Sequence, residues 1–418
     1  MFCQLEVSRH CFPQSVRRIL EELPDSLDET YERILKGIRK PNQGIAHRLM
    51  QCLVAAVRPL QVKELAEVLA FDFDSDGIPK LNEDWRWEDQ EEAVMSACSS
   101  LVAVVKDGDS WIVQFSHFSV KEFLTADRLA EPMRDVSRYH IELEVENTIL
   151  AQACIGVLLR LDDHVDRDNI KDFPLARYAA EYWPQHAKFG SESARIKNGM
   201  ECLFDEDKLH FATWLWVYDY SEEWMRSMPT ERPKKPGTIP LYHATRLGFR
   251  DLAAHLIAEH PEHLNANSGW KQIVMHGAAA GGNTDIFSLL LEHDVDVDGR
   301  DMFGTTPLHW ASNYGRCDFG RCLIDHGADV NAQDQEGMTP LFYAASHDRF
   351  VFAQMLLERG AMIYVLDNQR RTPLRTVLEE GSPRVARLLT MAWCRWYNES
   401  GNDTSSRRPT PLEFYGLT

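Results

Sequence analysis

One tripeptide recurs at a fixed interval. Thr306-Pro307-Leu308 returns as Thr339-Pro340-Leu341 and again as Thr372-Pro373-Leu374, in steps of 33 residues. Fainter copies stand upstream at Ile239-Pro240-Leu241 and Gln272-Ile273-Val274, which makes five units over residues 239–390. A period of this length means one small supersecondary unit, copied and stacked. Such a unit cannot bury its own apolar face, so its neighbours must supply the core.

The local chemistry of each unit fits a pair of helices. Thr306 is placed to cap a first helix whose first turn holds Pro307, where no amide hydrogen is required. Gly315 offers a left-handed exit. A second helix from Cys317 carries Phe319, Cys322 and Leu323 toward the core and stops at Gly327; an extended finger then leads to Asp334 and Gly337 of the next unit. The fourth unit repeats the plan from Phe350. This pattern, Thr-Pro-Leu-His-Trp-Ala above all, resembles ankyrin repeats. In that motif His309 is a buried hydrogen-bonding group, not a base or a ligand. Two units depart from the pattern. The second lacks Thr-Pro and has Asp294 where the exit glycine belongs; the fifth has Arg370 for the finger glycine and Arg375 for the histidine, as a terminal cap would.

The resemblance also implies a partner surface. The finger residues after the Asp, and the C-terminal end of the first helix, are left facing one concave side. In the third unit these are Met302, Phe303, Asn313 and Tyr314; in the fourth they are Gln335, Glu336, Ser346 and His347. Met302, Phe303 and Tyr314 carry the most contact area. The competing reading folds Met302 and Phe303 back onto the irregular second unit.

The N-terminal half reads differently. Segments from Gly44 and Val62 carry apolar residues at helical spacing on either side of Arg58-Pro59, and a third helix is expected over WEDQEEAVMSACSS. Leu101–Val105 and Trp111–Phe115 flank Asp107-Gly108, a hairpin turn signal. Three helices and a hairpin make a winged helix, closed by SHFSVKEFLTADRLA with Ser119 and Glu122 as a capping box. LPDSLDETYERIL, RPLQVKELAEVLAFDF, CSSLVAVV and FSHFSVKEFL resemble the region following the NACHT domain in fungal NOD-like receptor proteins, and the related winged helix of glycosylphosphatidylinositol inositol-deacylase-like proteins. FPLARYAAEYWPQHAKF and HFATWLWVYDY resemble the helical connector that precedes the ankyrin array there, and MFCQLEVSRHC resembles the last residues of a NACHT domain.

The expected fold is therefore mainly α. Residues 1–43 are the helical end of a NACHT-like region, 44–135 a winged-helix domain (α with a β-hairpin), and 136–228 a helical connector. A Pro-rich linker follows over 229–238, then an ankyrin-repeat solenoid over 239–390 and a polar tail over 391–418, expected to be disordered. Phe211, Trp214, Leu215 and Tyr218 lie at helical spacing and read as a core stripe sealing the array's N-terminal end.

Several function classes are disfavoured. No Gly-Lys pair occurs, so there is no phosphate loop; neither G-x-S-x-G nor HExxH occurs either. No catalytic residue, cofactor or enzyme activity is expected. Nine scattered cysteines without C-x-x-C argue against a disulfide framework or zinc knuckle. The first residues have no secretory signal, and no apolar run is long enough to span a bilayer, so a cytoplasmic protein is expected. With 45 Lys+Arg against 64 Asp+Glu, the net charge of −19 disfavours nucleic acid and anionic lipid as partners. Glu88, Asp89, Glu91 and Glu92 on the would-be recognition helix repel phosphate. One match remains: Asp72, Asp74, Asp76, Gly77 and Glu83 fit an EF-hand loop. Pro79 and Lys80 at its eighth and ninth positions, and the lack of a second loop, favour a solvated acidic loop over a metal site. The sequence thus reads as a non-catalytic interaction or scaffold protein related to NOD-like receptors, in non-self recognition or signalling. A separate NACHT ATPase is a further expected partner, and a nucleic-acid-binding regulator is the alternative.

Overall fold

The computed structural model describes residues 26–399 apart from 74–77, 86–93, 95–99, 109, 132–134, 162–164, 167–168, 190–193, 222–236 and 381. The chain divides between residues 235 and 236 into two compact units, one on each side. Among the described residues, no helix is long and apolar enough to cross a membrane.

The N-terminal unit opens with α1 (Leu27–Lys36), capped by Ser26, whose hydroxyl accepts from the Glu29 amide at 3.2 Å. α2 (Gln43–Ala55) and α3 (Val62–Leu69) follow, separated by the two-residue strand β1 (Leu60–Gln61). β2 (Phe71–Asp72) pairs antiparallel with β3 (Lys80–Leu81). The hairpin appears where Asp107-Gly108 places it: β4 (Val102–Asp107) against β5 (Ser110–Phe115), with Gly108 at φ 56°. β1 adds to the far side of β5, giving a three-stranded antiparallel sheet in the order β1-β5-β4. That third strand has no signal of its own, because two residues cannot show alternation. Of the expected third helix, only Val94, which is helical, and Ser100, which lies in a turn, fall among the described residues.

α4 (Phe118–Leu124) closes this part, with a cap unlike the expected box. His117 is the N-cap, and its Nδ1 accepts from the Ser119 amide at 3.2 Å. Ser119 Oγ instead lies between His117 Nδ1 (2.6 Å) and the Tyr31 hydroxyl (2.7 Å), tying α4 to α1.

Among the described residues, four α-helices follow in this unit: α5 (Leu143–Leu158), α6 (Ala176–Ala187), α7 (Ala194–Phe204) and α8 (His210–Ser221). Phe211 and Trp214 are buried, as a core stripe should be. Their rings meet Phe204 at 5.1 and 5.5 Å, and Trp214 meets Trp183 at 5.5 Å. Phe211 and Trp214 thus belong to the connector's own core, whereas Leu215 is half-buried and Tyr218 exposed, because the stripe turns out of the core toward its end.

The described residues of the C-terminal unit form five helix pairs: α9 (Pro240–Leu247) with α10 (Arg250–Glu259), α11 (Val274–Gly281) with α12 (Thr284–Leu291), α13 (Pro307–Tyr314) with α14 (Cys317–Asp325), α15 (Pro340–Ser346) with α16 (Phe350–Glu358), and α17 (Pro373–Glu380) with α18 (Pro383–Glu399). First helices stack on first helices and second on second. The backbone keeps the period even where the sequence departs from it. The finger turn has positive φ at Gly304 (77°) and Gly337 (76°), and equally at Arg370 (58°); Asp294 (54°) takes the exit conformation of Gly327 and Gly360. Stacking holds side chains in a region that costs them on the order of 1 kcal/mol or more. The last helix runs on to Glu399, so the boundary expected at 390 falls inside it.

Thr306 is the N-cap of α13, as expected, and His309 at the third helical position reaches back to it. His309 Nδ1 accepts from the Thr306 amide (3.1 Å) and lies 2.9 Å from the Thr306 hydroxyl, while Nε2 donates to the Met338 carbonyl of the next repeat at 3.1 Å. His276 repeats this bridge, from the Ile273 amide to the Thr305 carbonyl. In the fourth repeat Phe342 replaces the imidazole, and the buried Thr339 hydroxyl has no hydrogen-bond partner among the described residues. The two threonines should therefore respond differently to removal of the hydroxyl. Thr306→Val is expected to lose about 1–2 kcal/mol, and Thr339→Val to be neutral or slightly stabilising. Urea unfolding of both variants checks this, and equal losses would refute the assignment.

Candidate protein-interaction surface

Three successive fingers are each built around one buried aspartate, where the finger of Trp270 has Ser268. Asp301 Oδ1 accepts from the amides of Phe303 and Thr305, both at 2.9 Å. Asp334 Oδ1 does so from Glu336 (2.9 Å) and Met338 (2.8 Å), and Asp367 from Gln369 (2.9 Å) and Arg371 (2.7 Å). The second oxygen takes a side chain: Trp310 Nε1 at 3.3 Å, Tyr343 hydroxyl at 2.8 Å and Arg371 Nε at 2.8 Å, respectively. A carboxylate ringed by donors fixes the short tip that follows it.

The tips are then joined to one another. The Met302 amide donates to the Trp270 carbonyl (2.9 Å), Gln335 to Phe303 (2.9 Å) and Asn368 to Glu336 (2.8 Å). Trp270, Phe303, Glu336 and Gln369 consequently occupy equivalent places in successive repeats. Exposure is high at the apolar end of this row: Trp270 is 63% exposed, Phe303 49% and Met302 43%. Phe303 meets Trp270 edge-on, with ring centroids 6.2 Å apart. Both readings of Phe303 thus hold in part: it touches the second repeat and still faces outward. Trp270 was not among the expected residues, although counting 33 residues back from Phe303 reaches it.

The other expected residues lie close to this row or behind it. Gln335 and Glu336 are exposed, and the Gln335 side-chain amide donates to the Met302 carbonyl at 2.8 Å. Asn313 and Tyr314 are half-buried at the end of α13. The Tyr314 ring stacks on Trp310 at 6.1 Å, and the Asn313 carbonyl accepts from Arg349 Nε at 2.9 Å. Ser346 is half-buried and His347 exposed. Trp310 Nε1 also reaches Thr305 Oγ1 at 2.9 Å, which ties the helix end to the finger.

Burial pushes the His309 imidazole down to about 4, so it is neutral at pH 7, with both nitrogens occupied. In the calcium-loop stretch, Asp72 sits in β2 opposite Lys80 of β3, a cation across the strand pair. Asp74, Asp76, Gly77 and the Glu83 side chain lie outside the described residues, as do Glu88, Asp89, Glu91 and Glu92 of the expected recognition helix.

Residues 241–334 match ankyrin repeats (3 copies), and residues 323–377 match ankyrin repeats (many copies). Residues 31–133 match the GPI inositol-deacylase winged helix domain. Azaphilone pigments biosynthesis cluster protein L of Monascus ruber is 32% identical over 294 residues, which cover 66% of this chain and 61% of that protein. The chain thus spans about three-fifths of that relative's length. A winged helix of the GPI inositol-deacylase type is followed by ankyrin repeats, which are protein-interaction modules.

Proposed function

We propose that the chain is a non-catalytic, cytoplasmic scaffold of the NOD-like-receptor type that holds a protein partner on its finger tips. The observation that carries this reading is the exposed row of Trp270, Met302 and Phe303, in which the Met302–Phe303 turn is locked by Asp301 and bonded to the Trp270 carbonyl. Pre-ordered aromatic groups lose little entropy on binding, so they make effective anchors. The sequence adds support: without a phosphate loop or a nucleophile motif, the chain has binding to offer and no evident chemistry. The N-terminal resemblance makes a separate NACHT ATPase one partner to test. The relative's name makes a pigment-biosynthesis protein another.

The tagged full chain, used as bait with each candidate, tests the reading. Trp270→Ala and Phe303→Ala are expected to weaken the complex by about 1–2 kcal/mol each, roughly tenfold in Kd, at unchanged Tm. Tyr314→Ala is expected to have a smaller effect, because its ring leans on Trp310. Unchanged affinity in all three variants would place the contact elsewhere. Salt-sensitive binding to duplex DNA would instead favour a nucleic-acid regulator.

A further inference from the structure

The last two repeats enclose a groove built from other residues than the finger row. α16, the segment leading out of it and α18 bound about 880 Å³. Leu357, Ala361, Ile363 and Leu388 line it, with Met362 and Met391 at its edge. Met391 is 62% exposed and Met362 46%, so the apolar lining reaches the surface.

The sequence of α18 explains the groove's chemistry. Val385, Leu389 and Trp393 form the face that is buried. Arg384, Arg387, Leu388, Met391 and Arg395 follow at three- and four-residue steps along the neighbouring face, and all of them line the groove. A helix with a single buried face carries polar residues on the rest. Here apolar groups alternate with guanidiniums instead. Among the described residues, none of these three arginines forms an ion pair, and Arg384 lies over the Phe350 ring at 5.2 Å. Among the described residues, Glu358 is the one carboxylate lining the groove, and it accepts from Gln354 Nε2 at 2.9 Å. On a chain of net charge −19, this trough is a local inversion of sign.

The geometry points to this groove as the docking site of an amphipathic helical segment of a partner protein, with carboxylates flanking its apolar stripe. Charge complementarity selects the acidic flanks, since three cations border an apolar floor. α18, with 17 residues, extends about 25 Å, long enough to lie along several turns of a partner helix. The two methionines can adjust to the side chains inserted between them.

Selection of a displayed library of random peptides of about 16 residues on the full chain tests the assignment, with the Arg387→Glu/Met391→Glu chain as counter-selection. Both side chains are exposed, so the variant keeps its core, and an unchanged Tm verifies this. The expected peptides carry Asp or Glu beside an apolar i, i+3, i+7 stripe. Their affinity, read by fluorescence anisotropy, falls roughly tenfold or more in Arg387→Glu alone. Enrichment of basic or uncharged peptides, equal binding to the variant, or no enrichment overturns the assignment. Three other occupants are read in parallel: phosphatidylserine vesicles, a synthetic peptide of residues 400–418, and a second copy of the chain by sedimentation. Variant-sensitive binding of any of these, without selection of acidic peptides, also overturns it.

Discussion

Replacing Arg58 with alanine is expected to lower the stability of the N-terminal unit by about 3 kcal/mol. The reason lies in Glu64, which is 3% exposed. Its carboxylate accepts Arg58 Nη1 at 2.8 Å, Arg58 Nη2 at 2.6 Å and the Gln61 amide at 2.7 Å. Burial works against the Arg58 charge, but the hydrogen bond and charge of Glu64 outweigh it and hold the guanidinium above its usual pKa. The guanidinium also lies over the Tyr178 ring at 4.9 Å. Alanine removes the fork and leaves a buried carboxylate with one amide donor. Arg58 is itself partly open to water, so the loss falls at the lower end of the range for a broken buried pair. Arg58→Met with Glu64→Leu separates the pair's net worth from the cost of orphaning one partner, and should lie within about 1 kcal/mol of wild type. Urea unfolding gives the magnitude, and hydrogen exchange in α3 and α6 locates it. A loss below about 0.5 kcal/mol in the single variant would mean that Glu64 is solvated or protonated instead.

The same region shows where reading the sequence stops. From Tyr178 a buried chain of bonds continues: its hydroxyl accepts the Val57 amide at 3.2 Å and donates to His186 Nε2 at 2.9 Å, and His186 Nδ1 donates to Asn147 Oδ1 at 2.7 Å. Glu67 adds a buried bond, accepting the Leu175 amide at 2.7 Å. These partners lie up to 121 residues apart, and no spacing rule joins them. By contrast, the 33-residue period set out the repeats because every contact within a unit is local and is copied. The hairpin was legible for the same reason, since Asp107-Gly108 fixes its own turn. The finger row was half legible. Met302 and Phe303 followed from the repeat, whereas Trp270 stood in the unit that lacks Thr-Pro, where alignment by motif gives out. Arg370 and Asp294 looked like breaks in the pattern, yet the backbone keeps its left-handed turn at each, because stacked neighbours impose it.

Acidification from pH 6.5 to pH 4 is expected to destabilise the repeat array by several kcal/mol, with His309 a principal contributor. Burial lowers its pKa to about 4, outweighing the hydrogen bond to the Met338 carbonyl and the nearby charge of Asp334, both of which favour the proton; Arg300 opposes it. The unfolded chain, with an ordinary imidazole near 6.5, therefore binds the proton first. The stabilisation is fully present above about pH 6.5, declines as pH falls through this window, and is spent below about 4. For His309 alone, linkage gives a loss of about 2 kcal/mol at pH 5 and about 3 kcal/mol at pH 4. His276 is shifted in the same direction, again mainly by burial, and holds the same bridge one repeat earlier. Protonation would place a hydrogen on Nδ1, the atom that accepts from the Thr306 amide, so the charged form both loses that bond and confronts a donor. His309→Phe provides the discriminating variant, because the fourth repeat already accommodates Phe342 at this position. It should be less stable at pH 7, where the bridge is lost, yet show a shallower slope of stability against pH, by up to about 1.4 kcal/mol per pH unit between 4 and 6.5. Urea unfolding at fixed salt across that window reads both quantities. An unchanged slope in His309→Phe would mean that this imidazole titrates normally in the folded array, and that the burial argument fails there.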